Sequence, residues 1–278
     1  MKKITILMFC YYGEKDILPI TLKQVFAAIP KADVFLLDDS TNPLPSSTVT
    51  ALLNKFNRLH YEKTTFERNK NLNGPECVLG ELDCMVRCMD EVGNKDGYVV
   101  KMDPDTLLLR VDLVMEALDR GMKWISHNSA KGHFAGMFYL IHRSILEKVR
   151  ANANKIELPE KCAEDETIGA LCYIYAAKEL YSWTNTNSED GPYKFAAFPV
   201  QFYNTSAYWP NIIHCSRFGH ILTVGNTVGE GMSKNDQLNI MNDIIWAYNN
   251  PEEALNKCPE IIPVIEKKAR VTRLALFT

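Results

Sequence analysis

Short apolar runs alternate with longer stretches whose apolar residues recur every three or four positions, and this pattern fills the first half of the chain. KITILMFCY predicts a strand, and DILPITLKQVFAAI predicts a helix despite its early Pro19. ADVFLLDDS predicts a second strand, closed by the turn-rich STNPLPSS, and TVTALLNKF predicts a helix. RLHYEKTTF leads into the Asn- and Gly-rich NKNLNGPE, and CVLGELDCMVRCMDEV then has helical spacing. GYVVKM predicts the next strand, VDLVMEALDRG an amphipathic helix ending at Gly121, MKWISH and GMFYLIH two further strands, and a helix follows from Arg143. Such alternation predicts an α/β fold with a mostly parallel, Rossmann-like sheet flanked by helices. The pattern becomes irregular and aromatic between Tyr181 and Trp209, and helices dominate from Lys234 onward. The expected organisation is one domain over 1–230, divided near 110, with a C-terminal helical extension over 231–278.

With 278 residues, 46% of them hydrophobic, the chain can bury a large core. A formal net charge of -3 gives no overall basic field for a nucleic-acid backbone, so nucleic acid is excluded as a partner. Nowhere do eighteen apolar residues run together, and MKKITILMFCYY reads as a strand rather than a leader; a cytoplasmic location is expected. The last segment, IEKKARVTRLALFT, interleaves basic and apolar residues. Packing on its own domain or on a second copy is favoured there over peripheral contact with a membrane surface. None of the eight cysteines forms a CxxC pair, so reduced thiols are expected. Cys84 and Cys88, one helical turn apart, would share a metal with Cys77 only against the commoner use of cysteine as a small buried hydrophobe.

The candidate chemistry is acidic. In GYVVKMDPDTLLLR an apolar strand runs into Asp103 and Asp105, at the strand end where open α/β sheets bind ligands. Two carboxylates held close raise each other's pKa unless a cation intervenes, and hard divalent ions prefer oxygen, so a metal is the predicted occupant; the bland alternative is a solvated turn. VFLLDDST ends a second strand in Asp38 and Asp39, in the same orientation. Carboxylates there suit a base N–H or ribose hydroxyls, or merely a turn and helix cap.

With these motifs the chain resembles the GT-A glycosyltransferases of the inverting family-2 type, which use nucleotide-diphospho-sugars. ITILMFCYYGEKDIL is similar to the family's opening strand and turn, with Tyr12, Glu14 and Leu18 fitting. The resemblance implies a nucleotide-binding half over 1–110, using Tyr11, Tyr12, Asp38, Asp39, Arg68 of FERNKNLNG, and Asp103, and an acceptor half over 111–230. KMDPDTLLL resembles the DxD motif, implying Asp103 and Asp105 as ligands of Mn2+ or Mg2+. GHFAGMFYLIHRSIL is similar to the segment bordering the donor sugar, implying Gly132, Ala135 and Gly136. CAEDETIGAL resembles the acidic motif that supplies the catalytic base, implying Asp165, with Glu164 and Glu166 as neighbours able to take the role. A histidine ligand is expected from WPNIIHCSRFGHI, His214 in preference to His220, with Arg217 near the diphosphate. Trp183, Tyr208 and Trp209 are aromatic candidates for acceptor contact.

The implied activity is metal-dependent transfer of a sugar from a nucleotide-diphosphate donor, UDP-linked by family habit, to a hydroxyl on a glycan, lipid-linked or protein acceptor. Inversion is implied, and a homo-oligomer is compatible with it. Two other readings compete. A haloacid-dehalogenase-like phosphatase would use the aspartates of MDPDTL, although Leu107 stands where that motif has Thr or Val. A nucleotide-sugar or glycan-binding protein would keep the fold without turnover.

Overall fold

The computed structural model describes residues 2–66, 74–128, 134–158, 160, 162–184, 198–199, 208–218, 220–225 and 233–259. Four strands, β1 (Ile4–Cys10), β2 (Asp33–Asp38), β3 (Leu59–Lys63) and β4 (Tyr98–Met102), pair in parallel in the order β3-β2-β1-β4. Every residue of β1, β2 and β4 is buried, which explains their near-continuous apolar sequences. Helices α1 (Leu18–Ala28), α2 (Ser46–Lys55) and α3 (Gly74–Glu91) connect them.

After β4 the chain makes a short strand β5 (Thr106–Leu108), then α4 (Asp112–Asp119), β6 (Trp124–Asn128), β7 (Phe134–His142), α5 (Arg143–Ala153), α6 (Glu164–Ala176) and β8 (Leu180–Thr184). β7 lies antiparallel between β4 and β6, and β8 pairs in parallel with β6, completing a seven-stranded, mostly parallel sheet. The protein is therefore the flanked α/β sheet that the alternation predicts. β9 (Phe198–Pro199), α7 (Tyr208–Phe218), β10 (Ile221–Gly225), α8 (Lys234–Asn249) and α9 (Pro251–Asn256) follow. β5, β10 and β9 form a second, three-stranded sheet.

Three apolar clusters result. One face of the large sheet packs on α1, α2 and α4, the other on α3, α5 and α6. A third cluster joins Leu107, Ile212, Ile213, Leu222, Ile240, Met241 and Ile244, so α8 and α9 share a core with the small sheet and α7. All eight cysteines are free and buried. Burial pushes the Cys84 thiol up, and burial with the Glu62 carboxylate does the same at Cys88, which suits hydrophobic thiols rather than zinc ligands. No helix among the described residues is long and apolar enough to cross a membrane.

Two elements lie outside the pattern of apolar runs that predicts the rest. The TLLL after the acidic pair changes sheets as β5, a step too short to show a period. YWPNIIHCSRF, within the stretch expected to supply a histidine ligand, forms α7: Pro210 falls in the first helical turn, where its missing N–H costs nothing.

The start of β4 sets a tight constraint. A Cβ placed on Gly97 would lie 2.3 Å from the Lys3 carbonyl oxygen and 2.2 Å from Asn94 Oδ1, and Asn94 itself bonds Thr5 and the Tyr98 carbonyl. Gly97→Ala is expected to destabilise the fold by about 1–3 kcal/mol, seen as a lower urea midpoint at unchanged m-value.

Candidate active site

Strand order fixes where a ligand can enter. The chain runs outward from β1 to β2 and β3, then returns to place β4 on the other side of β1. The carboxyl ends of β1 and β4 therefore diverge, and a crevice opens between them. A cavity of about 250 Å³ lies there, lined among others by Phe9, Tyr11, Glu14, Asp39, Asp103 and Asp105.

The turn Asp103-Pro104-Asp105 is the step from one sheet to the other. The Asp103 N–H donates to the Met137 carbonyl on β7 (2.9 Å), and the Thr106 N–H donates back to the Asp103 carbonyl (3.1 Å). The Thr21 hydroxyl of α1 donates to the Pro104 carbonyl, and the Val224 N–H of β10 donates to the Asp105 carbonyl (2.9 Å). Both sheets and α1 thus aim the two carboxylates.

Their charges are partly answered by lysines. Lys101, 2% exposed, donates to Asp103 Oδ1 and to the Gly136 carbonyl, each at 2.6 Å. Asp105 Oδ2 accepts from Gln237 Nε2 (2.9 Å), while its Oδ1 is buried with no hydrogen-bond partner. Burial, reinforced by the Asp103 charge, pushes the Asp105 carboxyl up to about 6; Lys234 pulls the other way. Glu14 accepts from the Tyr11 N–H (3.2 Å), and burial pushes it up to about 8, against Lys234 and with Asp105 and Asp103 adding to the rise.

An unpartnered buried carboxylate oxygen beside a second carboxylate is a hard donor set suited to a cation. Among the described residues no three His, Cys, Asp or Glu side chains form a ready metal cage. Mg2+ and Mn2+ need none, being commonly held by one or two carboxylates with water and substrate phosphates completing the shell. The pair fits such an ion.

The other expected residues divide. Asp39, with Thr41 N–H (2.8 Å) and hydroxyl (2.7 Å) on Oδ1, lines the cavity, as does Tyr11. Asp38 does not. Its carboxylate accepts from the Leu44 N–H (2.9 and 3.1 Å) and the Tyr61 hydroxyl (2.6 Å), so it ties the loop after β2 instead of facing a ligand. Tyr12 is 48% exposed, with the Lys15 ammonium 5.2 Å from its ring centre. Arg68 and Gly132 lie outside the described residues, and of Ala135 only its place in β7 is described.

Gly136 and Asp165 meet closely: the Gly136 N–H donates to Asp165 Oδ2 (2.6 Å), and a Cβ on Gly136 would sit 2.7 Å from that oxygen. Asp165 Oδ1 accepts from the Glu166 N–H (2.8 Å) in the first turn of α6, beside Glu164. Burial, then the Glu164 charge, raises the Asp165 carboxyl, and Lys101 lowers it. Asp165 is not among the residues lining the cavity; Lys101 and Gly136 connect it to Asp103.

His214 belongs to α7, and its side chain lies outside what is described. The His220 carbonyl accepts from Leu109 and Arg110, four residues along β5 from where Asp105 meets Val224; at strand rise that is about 13 Å away, so His220 serves the far end of the small sheet. Arg217 has a buried Nη1 without a hydrogen-bond partner, and the Arg110 that it disfavours electrostatically bonds the Ser216 carbonyl (2.9 Å). Trp183 belongs to β8, its side chain undescribed. The Tyr208 hydroxyl donates to Asp243 (2.6 Å), and Trp209 packs edge-on against Trp246 under the Lys257 ammonium, so both rings bind α7 to α8 and α9.

The sequence pattern assigned no role to Lys101, Lys234 or Gln237, and marked Glu14 only as fitting the opening turn of the family it resembles. Lys101 did carry a signal, as a lysine inside the apolar run GYVVKM must find a buried anion. Gln237 lies 132 residues from Asp105 and carried none.

No protein-family model matches the chain, and no curated protein sequence matches it. Solved structures do resemble it. A mannosyltransferase from Pyrobaculum calidifontis, described in complex with GDP-Man and Mn2+, is 14% identical, over 99% of this chain and 81% of that one, with a TM-score of 0.47. A glycosyltransferase involved in glycosylation of the major capsid of PBCV-1 is 10% identical over 84% and 98%, again at 0.47. An active-site mutant of LgtC is 11% identical over 86% and 95%, also at 0.47. At these values the likenesses decide nothing about chemistry, which rests on the site itself.

The raised carboxyls set a pH dependence. Glu14 and Asp105 hold protons in the folded protein that they release in the unfolded chain between their ordinary range and about 8 and 6. The folded state binds more protons there, so their contribution to stability is full below about pH 4 and declines as pH rises to about 8. Metal-free protein is expected to lose thermal stability from about pH 5 to pH 8, and Glu14→Gln to flatten the upper part of that decline. A wild-type profile no steeper than that of Glu14→Gln in differential scanning calorimetry would show Glu14 to be ionised throughout.

Proposed function

We propose that the protein is a metal-dependent glycosyltransferase that moves a sugar from a nucleotide-diphosphate donor to an acceptor hydroxyl, with inversion at the anomeric carbon. The observation that carries this reading is the aspartate pair at the switch point, with one buried oxygen lacking a partner, facing the same cavity as Tyr11 and Asp39. Tyr11 offers a ring face to a base, and Asp39 a carboxylate to base N–H or ribose hydroxyls. Asp103 and Asp105 would hold Mn2+ or Mg2+, which when bound supplies counter-charge for a departing diphosphate.

Asp165 is the proposed general base. Its raised proton affinity and its link through Gly136 and Lys101 to Asp103 support that role. It would take the acceptor's proton as the acceptor oxygen bonds the anomeric carbon, while the carbon–oxygen bond to the diphosphate breaks on the opposite face. The new C–O bond replaces the old one, and the electron pair leaves on the diphosphate. Gly136 would let the sugar approach the backbone, as its missing Cβ already lets Asp165 do.

Screening nucleotide sugars for slow hydrolysis with Mn2+ identifies the donor, with UDP-sugars the first set. Asp105→Asn is expected to lower that hydrolysis about 100-fold or more with the fold intact; wild-type hydrolysis in this variant would sink the metal assignment. Asp105 is the better probe of the pair because Asp103 also neutralises the buried Lys101, whose loss of partner would destabilise the protein on its own account. Asp165→Asn is expected to cut acceptor transfer about 100-fold or more while leaving nucleoside diphosphate affinity within about threefold. Equal losses in binding and transfer would make Asp165 a structural group.

A further inference from the structure

Helix α8 reaches the acidic turn through its first residues. Ser233 caps it, accepting from the Asp236 N–H (3.1 Å), and so fixes Lys234 at the first helical position. The Lys234 ammonium donates to Gln237 Oε1 (3.0 Å) one turn on, and the same amide donates to Asp105 Oδ2 (2.9 Å). The ammonium also lies 5.8 Å from the Tyr11 ring centre and opposes the charges of Glu14 and Asp105, so it is set beside three residues that line the cavity. Gln237 holds the lysine in register with the acidic pair.

We propose that Lys234 is a donor-binding residue that pairs with the diphosphate, making α8 part of the nucleotide-sugar site. This rests on the glycosyltransferase reading and adds to it the group that recognises the second phosphate. Lys101 cannot move to the ligand, being enclosed between Asp103 and the Gly136 carbonyl. Lys234 is only half-buried and sits on a flexible four-carbon stem, so its ammonium can exchange Gln237 for a phosphate oxygen. When the sugar departs, the diphosphate gains a further negative charge beside the same ammonium, so the pairing strengthens as the bond breaks.

Calorimetric titration with Mn2+ present, using UDP and UMP and in parallel GDP and GMP, tests this on wild type, Lys234→Met and Lys234→Arg. Lys234→Met is expected to weaken the diphosphate about tenfold or more and the monophosphate less than about threefold, with Lys234→Arg recovering most of the loss. Lys234→Gln, a second neutral variant, is read in the same way, and thermal unfolding without ligand confirms that each variant is folded. Equal weakening of diphosphate and monophosphate, or an unchanged diphosphate, overturns the role of Lys234 and leaves the donor reading standing. Wild-type protein that binds neither diphosphate overturns the donor reading and this inference together.

Discussion

The turn Asp103-Pro104-Asp105 crosses from one sheet to another with its backbone fastened by β7, α1 and β10. That attachment holds two carboxylates side by side, Asp103 partly exposed and Asp105 with one oxygen buried, and their mutual repulsion bears on what surrounds them. Lys101 answers Asp103 from inside the sheet; Gln237 and Lys234 answer Asp105 from a helix 130 residues later in the chain. Each compensation is incomplete, as the unpartnered Oδ1 of Asp105 and the protonated tendency of Glu14 show. A fold selected for stability alone would place apolar groups there, because burying unpaired acids costs several kcal/mol. Retained strain of this kind at a strand end is the physical signature of a ligand site.

The large sheet was legible in the amino-acid pattern because its strands are buried on both faces, leaving apolar runs that end abruptly in acids. The location of the cavity was legible for the same reason: acids at strand ends mark the carboxyl edge. The roles of Asp38 and Asp39 were not separable, because that depends on which face of the sheet the cavity adjoins. Side chains alternate along a strand, so Asp38 shares its face with Val34 and Leu36, and Asp39 shares the other with Phe35 and Leu37. The cavity takes Leu37 and Asp39, and Asp38 is left to bind Leu44 and Tyr61. A one-residue difference in position thus separates a cavity-lining acid from a loop tether.

The small sheet and its helices were harder to foresee. β5 has three residues and β9 two, too few for any period, and α7 begins with aromatic residues and a proline that resemble a loop. What defines them is long-range: Thr106 meets Thr223 across the β5–β10 pair (2.9 Å), and Tyr208 and Trp209 meet Asp243 and Trp246 of α8. Aromatic residues that looked suited to a sugar face are used to join helices. The Tyr208 hydroxyl and the Trp209 ring thus find partners within the protein.

Lys101 links the two halves of the proposed chemistry. Its ammonium touches Asp103 and the Gly136 carbonyl, and the Gly136 N–H holds Asp165, so a single residue, Gly136, lies between Asp103 with its lysine and the candidate base. Gly136 lies in β7, which pairs with β4, and the peptide groups on its two sides are each held by a charged side chain, so the separation of Asp103 and Asp165 follows from strand pairing rather than from loop motion. Side-chain mobility is thereby restricted in the pair of groups that the proposed chemistry uses. Adaptability is left to Lys234, whose half-buried stem can follow charge as it develops, so a fixed donor frame and one movable cation coexist within the same acidic cleft.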